Sequence, residues 1–206
     1  MIAVLDYGMG NLRSVEKALE RVGAAAAVTN EHARAREAEG LILPGVGAFP
    51  RAMERVRQLG LDELVRERLA SRVPILGICL GLQLLFESST ELGGANGLGL
   101  IEGRVDRLAA GDLKLPQIGW NAVTWTAESP LIEGLPNPCP MYHVHTYAVQ
   151  SRDLLGTATY GAEFVSAIAR PPLYGVQFHP EKSGTHGLRL LANFTRICAG
   201  ALRRAA

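Results

Sequence analysis

Cysteine is scarce in this sequence. The three present, Cys79, Cys139 and Cys198, are an odd set with no paired spacing. That excludes a disulfide framework and fits a reducing compartment, the cytoplasm, while leaving room for one reactive thiol. Excess charge is lacking too: 21 Lys and Arg face 20 Asp and Glu, for a net +1. Such a balance creates no field that would draw in nucleic acid or an anionic membrane surface. Long hydrophobic runs are absent, and stretches such as Val73–Cys79 are far too short to span a bilayer. Met1 leads directly into Ile-Ala-Val-Leu-Asp, with no basic stretch before it and no small-residue cleavage site after it. This start reads as a buried first strand rather than a signal peptide. No internal repeat, low-complexity tract or linker divides the chain. What remains is 206 residues, 48% hydrophobic and 20% charged, which suits one compact α/β domain with a full core.

The first half alternates short apolar runs with helical spacing. Ile2–Tyr7 predicts a strand, and Gly8-Met9-Gly10 turns into a helix with Leu12, Val15, Leu19 and Val22 on one face and Gly23 as its stop. Ala26–Thr29 and Leu41–Leu43 are further strands. Arg51–Ser71 predicts an amphipathic helix interrupted near Gly60, its arginines on a solvated face. Val73–Ile78 is a strand running into a helix over Leu82–Ser88. This alternation implies a doubly wound, mostly parallel central sheet flanked by helices. The second half differs, with strands expected at 98–108, 118–125, 141–150, 155–160, 165–169 and 173–178. Their close spacing predicts an appended antiparallel hairpin region, closed by an amphipathic helix over Ser183–Leu202.

Gly77-Ile78-Cys79-Leu80-Gly81 lies where a buried strand meets a helix, with the Gly-x-nucleophile-x-Gly spacing of a nucleophile elbow. Side chains two positions either side of a nucleophile in that tight turn would strike neighbouring backbone. A cysteine at a helix N-terminus is favoured as thiolate by the unpaired N–H groups there, and the Leu80 N–H points to where an oxyanion would form. The plainer reading is a core cysteine in a tightly packed turn. Cys139, between prolines in a loop-like stretch, and Cys198, on the last helix, read as structural.

Gly175-Val176-Gln177-Phe178-His179-Pro180-Glu181 is an apolar strand with a polar end. Residues two apart share a face of extended chain, so Glu181 can orient His179 as the acid–base partner of a cysteine nucleophile. A surface His–Glu pair is the alternative, but the elbow elsewhere in the chain favours catalysis. Pro44-Gly45-Val46-Gly47 ends another central strand. Its glycines allow a backbone N–H of the segment, at Val46 or Gly47, to face an oxyanion, or they merely shape a turn. His143-x-His145 resembles a metal pair, yet no third ligand stands at a useful spacing, so no metal site is expected and a packed or exposed histidine pair is preferred.

Over its whole length the chain resembles the class I glutamine amidotransferases, and among them the glutaminase subunits of imidazole glycerol phosphate synthase. The resemblance is carried by Asp6–Leu12, Leu43–Phe49, Gly77–Ser88, Gly97–Ile101, Pro116–Asn121 and Gly175–Ser183. The Cys elbow and the His-Pro-Glu ending belong to the whole class. The Pro-Gly-Val-Gly, Gly-Trp-Asn and Glu-Lys-Ser pieces point to the histidine pathway. Two departures stand out. His143-Val144-His145-Thr146-Tyr147 replaces a pattern close to Phe-Val-His-Ser-Tyr, and Thr90 stands where an acidic residue is usual, which leaves Glu91 as the nearer match for a substrate carboxylate.

The resemblance implies a single glutaminase domain over 1–206 that needs no cofactor. Cys79 would attack the side-chain amide of glutamine, with His179 and Glu181 completing the triad. The oxyanion would be held by Leu80 and the Val46–Gly47 segment. Gly47, Gln83, Glu91, Thr146 and Tyr147 would surround the substrate, with Glu87 as a spare for Glu91. The ammonia requires an acceptor site, so a partner is implied: a (β/α)₈-barrel cyclase subunit in a heterodimer, contacted by Trp120, Lys182 and Asn11. Trp120 alternatively belongs to the hairpin core. Rival readings are a glutaminase serving anthranilate, pyridoxal phosphate or nucleotide synthesis, a cysteine peptidase on the same sheet, and a regulatory domain without activity.

Overall fold

The computed structural model describes residues 1–152 and 154–205, with residues 202–205 described by backbone alone. In chain order the elements are β1 (Ile2–Leu5), α1 (Leu12–Arg21), β2 (Ala26–Thr29), α2 (His32–Arg36), β3 (Gly40–Leu43), α3 (Phe49–Gln58), α4 (Leu61–Ala70), β4 (Ile75–Ile78) and α5 (Leu80–Leu84). Then follow β5 (Phe86–Ser89), β6 (Ala95–Asn96), β7 (Ile101–Arg107), β8 (Gln117–Trp125), β9 (Cys139–His145), β10 (Tyr147–Gln150), β11 (Gly156–Tyr160), β12 (Ala162–Arg170), β13 (Leu173–Val176) and α6 (Gly184–Ala205). Among the described residues no helix is long and apolar enough to cross a membrane.

One end of the sheet is parallel, in the order β2-β1-β3-β4-β13. Its strands alternate between two cores, as a period of two requires. Leu5, Leu41, Leu43 and Ile75 face α3 and α4, packing with Met53, Val56 and Leu64. Val4, Ile42, Leu76 and Ile78 face α1 and α6, packing with Val15, Leu190 and Phe194. Beyond β13 the sheet turns antiparallel through β12, β10 and β7, and β8 and β9 form a ribbon joined to it through β11.

Three expected boundaries are corrected. The helix expected over Leu82–Ser88 ends at Leu84, and Phe86–Ser89 pairs with β7 instead. The following turn explains the early stop: Leu98 N–H caps the Leu84 carbonyl at 2.8 Å and Leu100 N–H caps that of Leu85 at 2.9 Å. The strand expected over 98–108 accordingly starts only at Ile101. The strand expected over 141–150 breaks at Thr146, because its first half pairs with β8 and its second with β7 and β12. Cys139, expected in a loop, opens β9 and is buried. The break expected near Gly60 is real: Gly60 has φ +63°, a left-handed conformation that separates α3 from α4. Helix α2 had no clear periodic signal in its five residues.

Candidate active site

Adjacent parallel strands gather the chemistry. In register, Leu43 of β3 lies beside Gly77 of β4, and Ile78 of β4 beside Val176 of β13. The carboxyl ends of these three neighbours therefore deliver Pro44–Gly47, Cys79 and His179 to one edge, the edge where open α/β sheets bind ligands.

Cys79 has φ +53° and ψ −110°, a conformation non-glycine residues adopt only when their surroundings impose it. The flanking glycines show how. A Cβ on Gly81 would lie 1.7 Å from the Leu43 carbonyl oxygen, and one on Gly77 would lie 2.7 Å from the Leu82 backbone. The sulfur lies 3.7 Å from the Val144 carbonyl oxygen and 3.7 Å from Gln177 Nε2.

His179 Nδ1 donates to Glu181 Oε1 at 2.9 Å, and both side chains are almost wholly buried. The Ser183 hydroxyl fixes the backbone beneath them, donating to the His179 carbonyl at 2.7 Å while accepting from Tyr142 N–H at 3.0 Å. His179 Nε2 is buried and has no hydrogen-bond partner among the described residues. Burial opposes the imidazolium charge, but the nearby Cys79 sulfur and Glu181 outweigh it and lift the pKa of His179 to about 10.

The Pro44–Gly47 turn is held by the Tyr7 hydroxyl, which donates to the Pro44 carbonyl at 2.5 Å. A Cβ on Gly45 would fall 2.1 Å from that hydroxyl, and Gly47 has φ +114°. The Gly45 carbonyl accepts from Leu80 N–H at 3.3 Å. Because C=O and N–H point opposite ways across a trans peptide, the Val46 N–H faces away from Leu80. Leu80 N–H, an expected oxyanion donor, is thus taken by a carbonyl oxygen, and the Val46 N–H of the same peptide points the other way.

A cavity of about 200 Å³ opens beside Cys79. Val46, Gly47, Leu80, Gln83, Glu91, Thr146 and Tyr147, all expected around the substrate or oxyanion, line it with Cys79. It is smaller than the ~300–1,000 Å³ of sites for drug-sized ligands and suits one amino acid. Glu91 Oε2 accepts from Phe49 N–H at 2.8 Å, so its carboxylate also sits at the start of α3. Glu87 is not part of the wall and binds Gly103 N–H at 2.8 Å instead. Sequence reasoning missed Pro116, Val144 and His145 in this wall.

It also missed Gln177, although a polar residue within an apolar buried strand was a readable signal. His143 and His145 are both buried, with ring centroids 5.6 Å apart. His143 Nδ1–H donates to the Met141 carbonyl and Nε2 accepts from the Ser166 hydroxyl; His145 Nδ1–H donates to the Tyr147 carbonyl. Burial first, then neighbouring imidazoles, depress their pKa values to about 3 and about 4.

Trp120 is 59% exposed, which excludes a place in the core, and it meets Tyr142 edge to face at 5.9 Å. Ile118, 63% exposed, is on the same face, opposite Val144. Lys182 and Asn11 are exposed as well, and α1 packs beside the 180–182 turn.

The model of the family Glutamine amidotransferase class-I matches residues 3–198. The "Imidazole glycerol phosphate synthase subunit HisH" of Moorella thermoacetica is 50% identical over 199 residues, covering 95% of this chain and 94% of that protein. The protein of the same name from Symbiobacterium thermophilum is 50% identical, covering 95% of this chain and 93% of the relative. The solved structure of a candidate GMP synthase component from Thermoplasma acidophilum aligns with TM-score 0.77 at 21% identity over 99% of this chain and 96% of its own, a likeness of fold. The elbow at Cys79, the buried His179–Glu181 pair and these full-length matches lead to one assignment: the chain belongs to the class I glutamine amidotransferases, among the glutaminase subunits of imidazole glycerol phosphate synthase.

Proposed function

We propose that Cys79, His179 and Glu181 hydrolyse glutamine to glutamate and ammonia, and that the ammonia passes to a (β/α)₈-barrel cyclase held as a heterodimer. That partner would make imidazole glycerol phosphate and aminoimidazole carboxamide ribotide. The observation that carries this reading is a cavity holding both the elbow cysteine and Glu91, reached from the ends of β3 and β4, with the neighbouring β13 leading into the buried His179–Glu181 pair.

Cys79 sulfur attacks the side-chain amide carbon, and the tetrahedral oxyanion is held by backbone N–H groups of Leu80 and the Val46–Gly47 segment. His179, charged and oriented by Glu181, gives its proton to the departing nitrogen, which leaves as ammonia. It then takes a proton from the water that cleaves the thioester. Glu91 meets the α-ammonium of glutamine. The exposed Ile118 and Trp120, with half-buried Tyr142 against Trp120 and with Lys182 and Asn11 beside them, form the surface for the cyclase.

The filled oxyanion space makes the isolated chain a resting enzyme. Rotating the Gly45–Val46 peptide would free Leu80 N–H and turn Val46 N–H inward, and the glycines on both sides of Val46 permit that rotation. The deciding experiment is Cys79→Ala in the complex. Glutamine-dependent synthesis should vanish, while an ammonium salt should still support the cyclase reaction; near-normal glutaminase activity would refute the assignment.

A further inference from the structure

Between the cavity and the core runs a line of hydrogen bonds that the triad chemistry does not use. Gln83 Nε2 donates to the Tyr147 carbonyl at 2.9 Å and to Gln177 Oε1 at 3.1 Å. Gln177 Nε2 in turn reaches the Cys79 sulfur at 3.7 Å. Gln177 has no exposed surface, and its backbone N–H is taken by the Ser166 carbonyl at 2.8 Å. An amide placed there costs desolvation that an apolar side chain of similar volume would avoid, so its hydrogen bonds are the reason for its presence to be sought.

The direction of the line is settled at its backbone end. A carbonyl only accepts, so Gln83 must turn its NH₂ toward Tyr147. That same NH₂ reaches Gln177, which must therefore offer its oxygen to Gln83 and its own NH₂ to the sulfur. Cys79 thus meets a neutral donor on one side and the Val144 carbonyl on the other. A thiol can donate its S–H in a hydrogen bond to that carbonyl. Once the proton has gone the carbonyl offers no attraction, and the Gln177 N–H still does.

We propose that Gln177 is a positioning residue for the nucleophile: its N–H, aligned by Gln83, holds the Cys79 sulfur and stabilises it as an acceptor, the form that attacks. This rests on Cys79 being the nucleophile. It has a consequence for specificity as well, since Gln83 has spent both N–H groups and can meet a bound glutamine only through its carbonyl oxygen.

The test is alkylation of the full-length chain by iodoacetamide, with the modified cysteine located by peptide mass spectrometry and the rate followed against pH. Two variants are compared with the unsubstituted chain. Gln177→Leu removes the donor. Gln83→Glu, which touches the sulfur only through Gln177 in this line of hydrogen bonds, cannot donate to either partner and should turn the Gln177 amide around, presenting its oxygen to Cys79. Both should slow modification of Cys79 at neutral pH by about tenfold or more, the scale of a hydrogen bond to a charged group, with the profile displaced to higher pH. Thermal melting and cyclase binding check that each variant is folded, and if Gln177→Leu is not, Gln83→Glu decides alone. Rates within about twofold and an unmoved profile would overturn the relay. Modification at Cys139 or Cys198 instead of Cys79 in the unsubstituted chain would remove the nucleophile assignment, and the relay with it.

Discussion

Loading the cyclase should raise glutamine turnover by at least two orders of magnitude, and on the function proposed above that factor arises at the Gly45–Val46 peptide. In the isolated chain the Gly45 carbonyl occupies Leu80 N–H at 3.3 Å, and the trans geometry of the same peptide turns Val46 N–H outward. One missing oxyanion donor costs ~10²–10³ in rate, equivalent to ~3–4 kcal/mol. Two donors are compromised here, so ~10² is the floor for the activation. The perturbation is addition of the cyclase together with its acceptor substrate. The assay is glutamate release at saturating glutamine, by the chain alone and by the loaded complex. A control separates the oxyanion site from the thiol: alkylation by iodoacetamide forms no oxyanion, so its rate at Cys79 should change far less than turnover. Equal turnover with and without the loaded partner would refute the closed site, and a parallel rise in alkylation would move the cause to the sulfur.

Three further outcomes are expected. Trp120→Ala should weaken cyclase binding by more than ~30-fold, the scale of an aromatic interface anchor, with thermal melting unchanged; calorimetric titration checks it, and a lowered Tm with intact binding would count against the interface. Glu91→Gln keeps an acceptor for Phe49 N–H but loses the charge, so KM for glutamine should rise ~10–100-fold with kcat little changed, and a fall in kcat alone would contradict its role. His143 and His145 remain neutral in the fold to about pH 3 and 4 but protonate near 6.5 when unfolded. Their contribution to stability is therefore complete above pH 6.5 and declines as the pH falls toward those values, by up to ~1.4 kcal/mol per pH unit for each. His179, raised to about 10, is protonated in both states below pH 6.5 and adds no slope there. Urea midpoints at pH 7 and pH 5 measure this, with a smaller decline expected in His143→Phe; equal midpoints for the native chain would contradict it.

The parallel half of the fold was legible because each strand carries its own evidence: short apolar runs, fully buried in β1, β3, β4 and β13. The elbow was legible for a similar reason, since the spacing of Gly77, Cys79 and Gly81 is a local steric demand. The antiparallel half was less so. Met141–Gln150 is one continuous run of strand-forming residues, yet it changes partners at Thr146, and no local pattern names a partner. Leu82–Ser88 failed likewise, because the backbone of residues 98–100 caps the helix from outside.

By itself the sequence singled out the residues proposed to carry the chemistry: a cysteine in a turn only glycine neighbours allow and a histidine two residues from its carboxylate, in a chain whose odd, unpaired cysteine spacing argues against a disulfide framework. Tertiary structure alone decided how they meet. The register of β4 against β13 sets Cys79 beside His179 across a hundred residues of chain, and Glu91, rather than Glu87, reaches the cavity wall. It alone decided that Trp120 faces outward, that the two extra histidines are buried and neutral, and that the Gly45 carbonyl takes the Leu80 N–H. The physical reason is range: steric and periodic constraints act over a few residues and are written locally. Burial, partner choice and the direction of a hydrogen bond depend on groups that only the folded chain brings within a few ångströms.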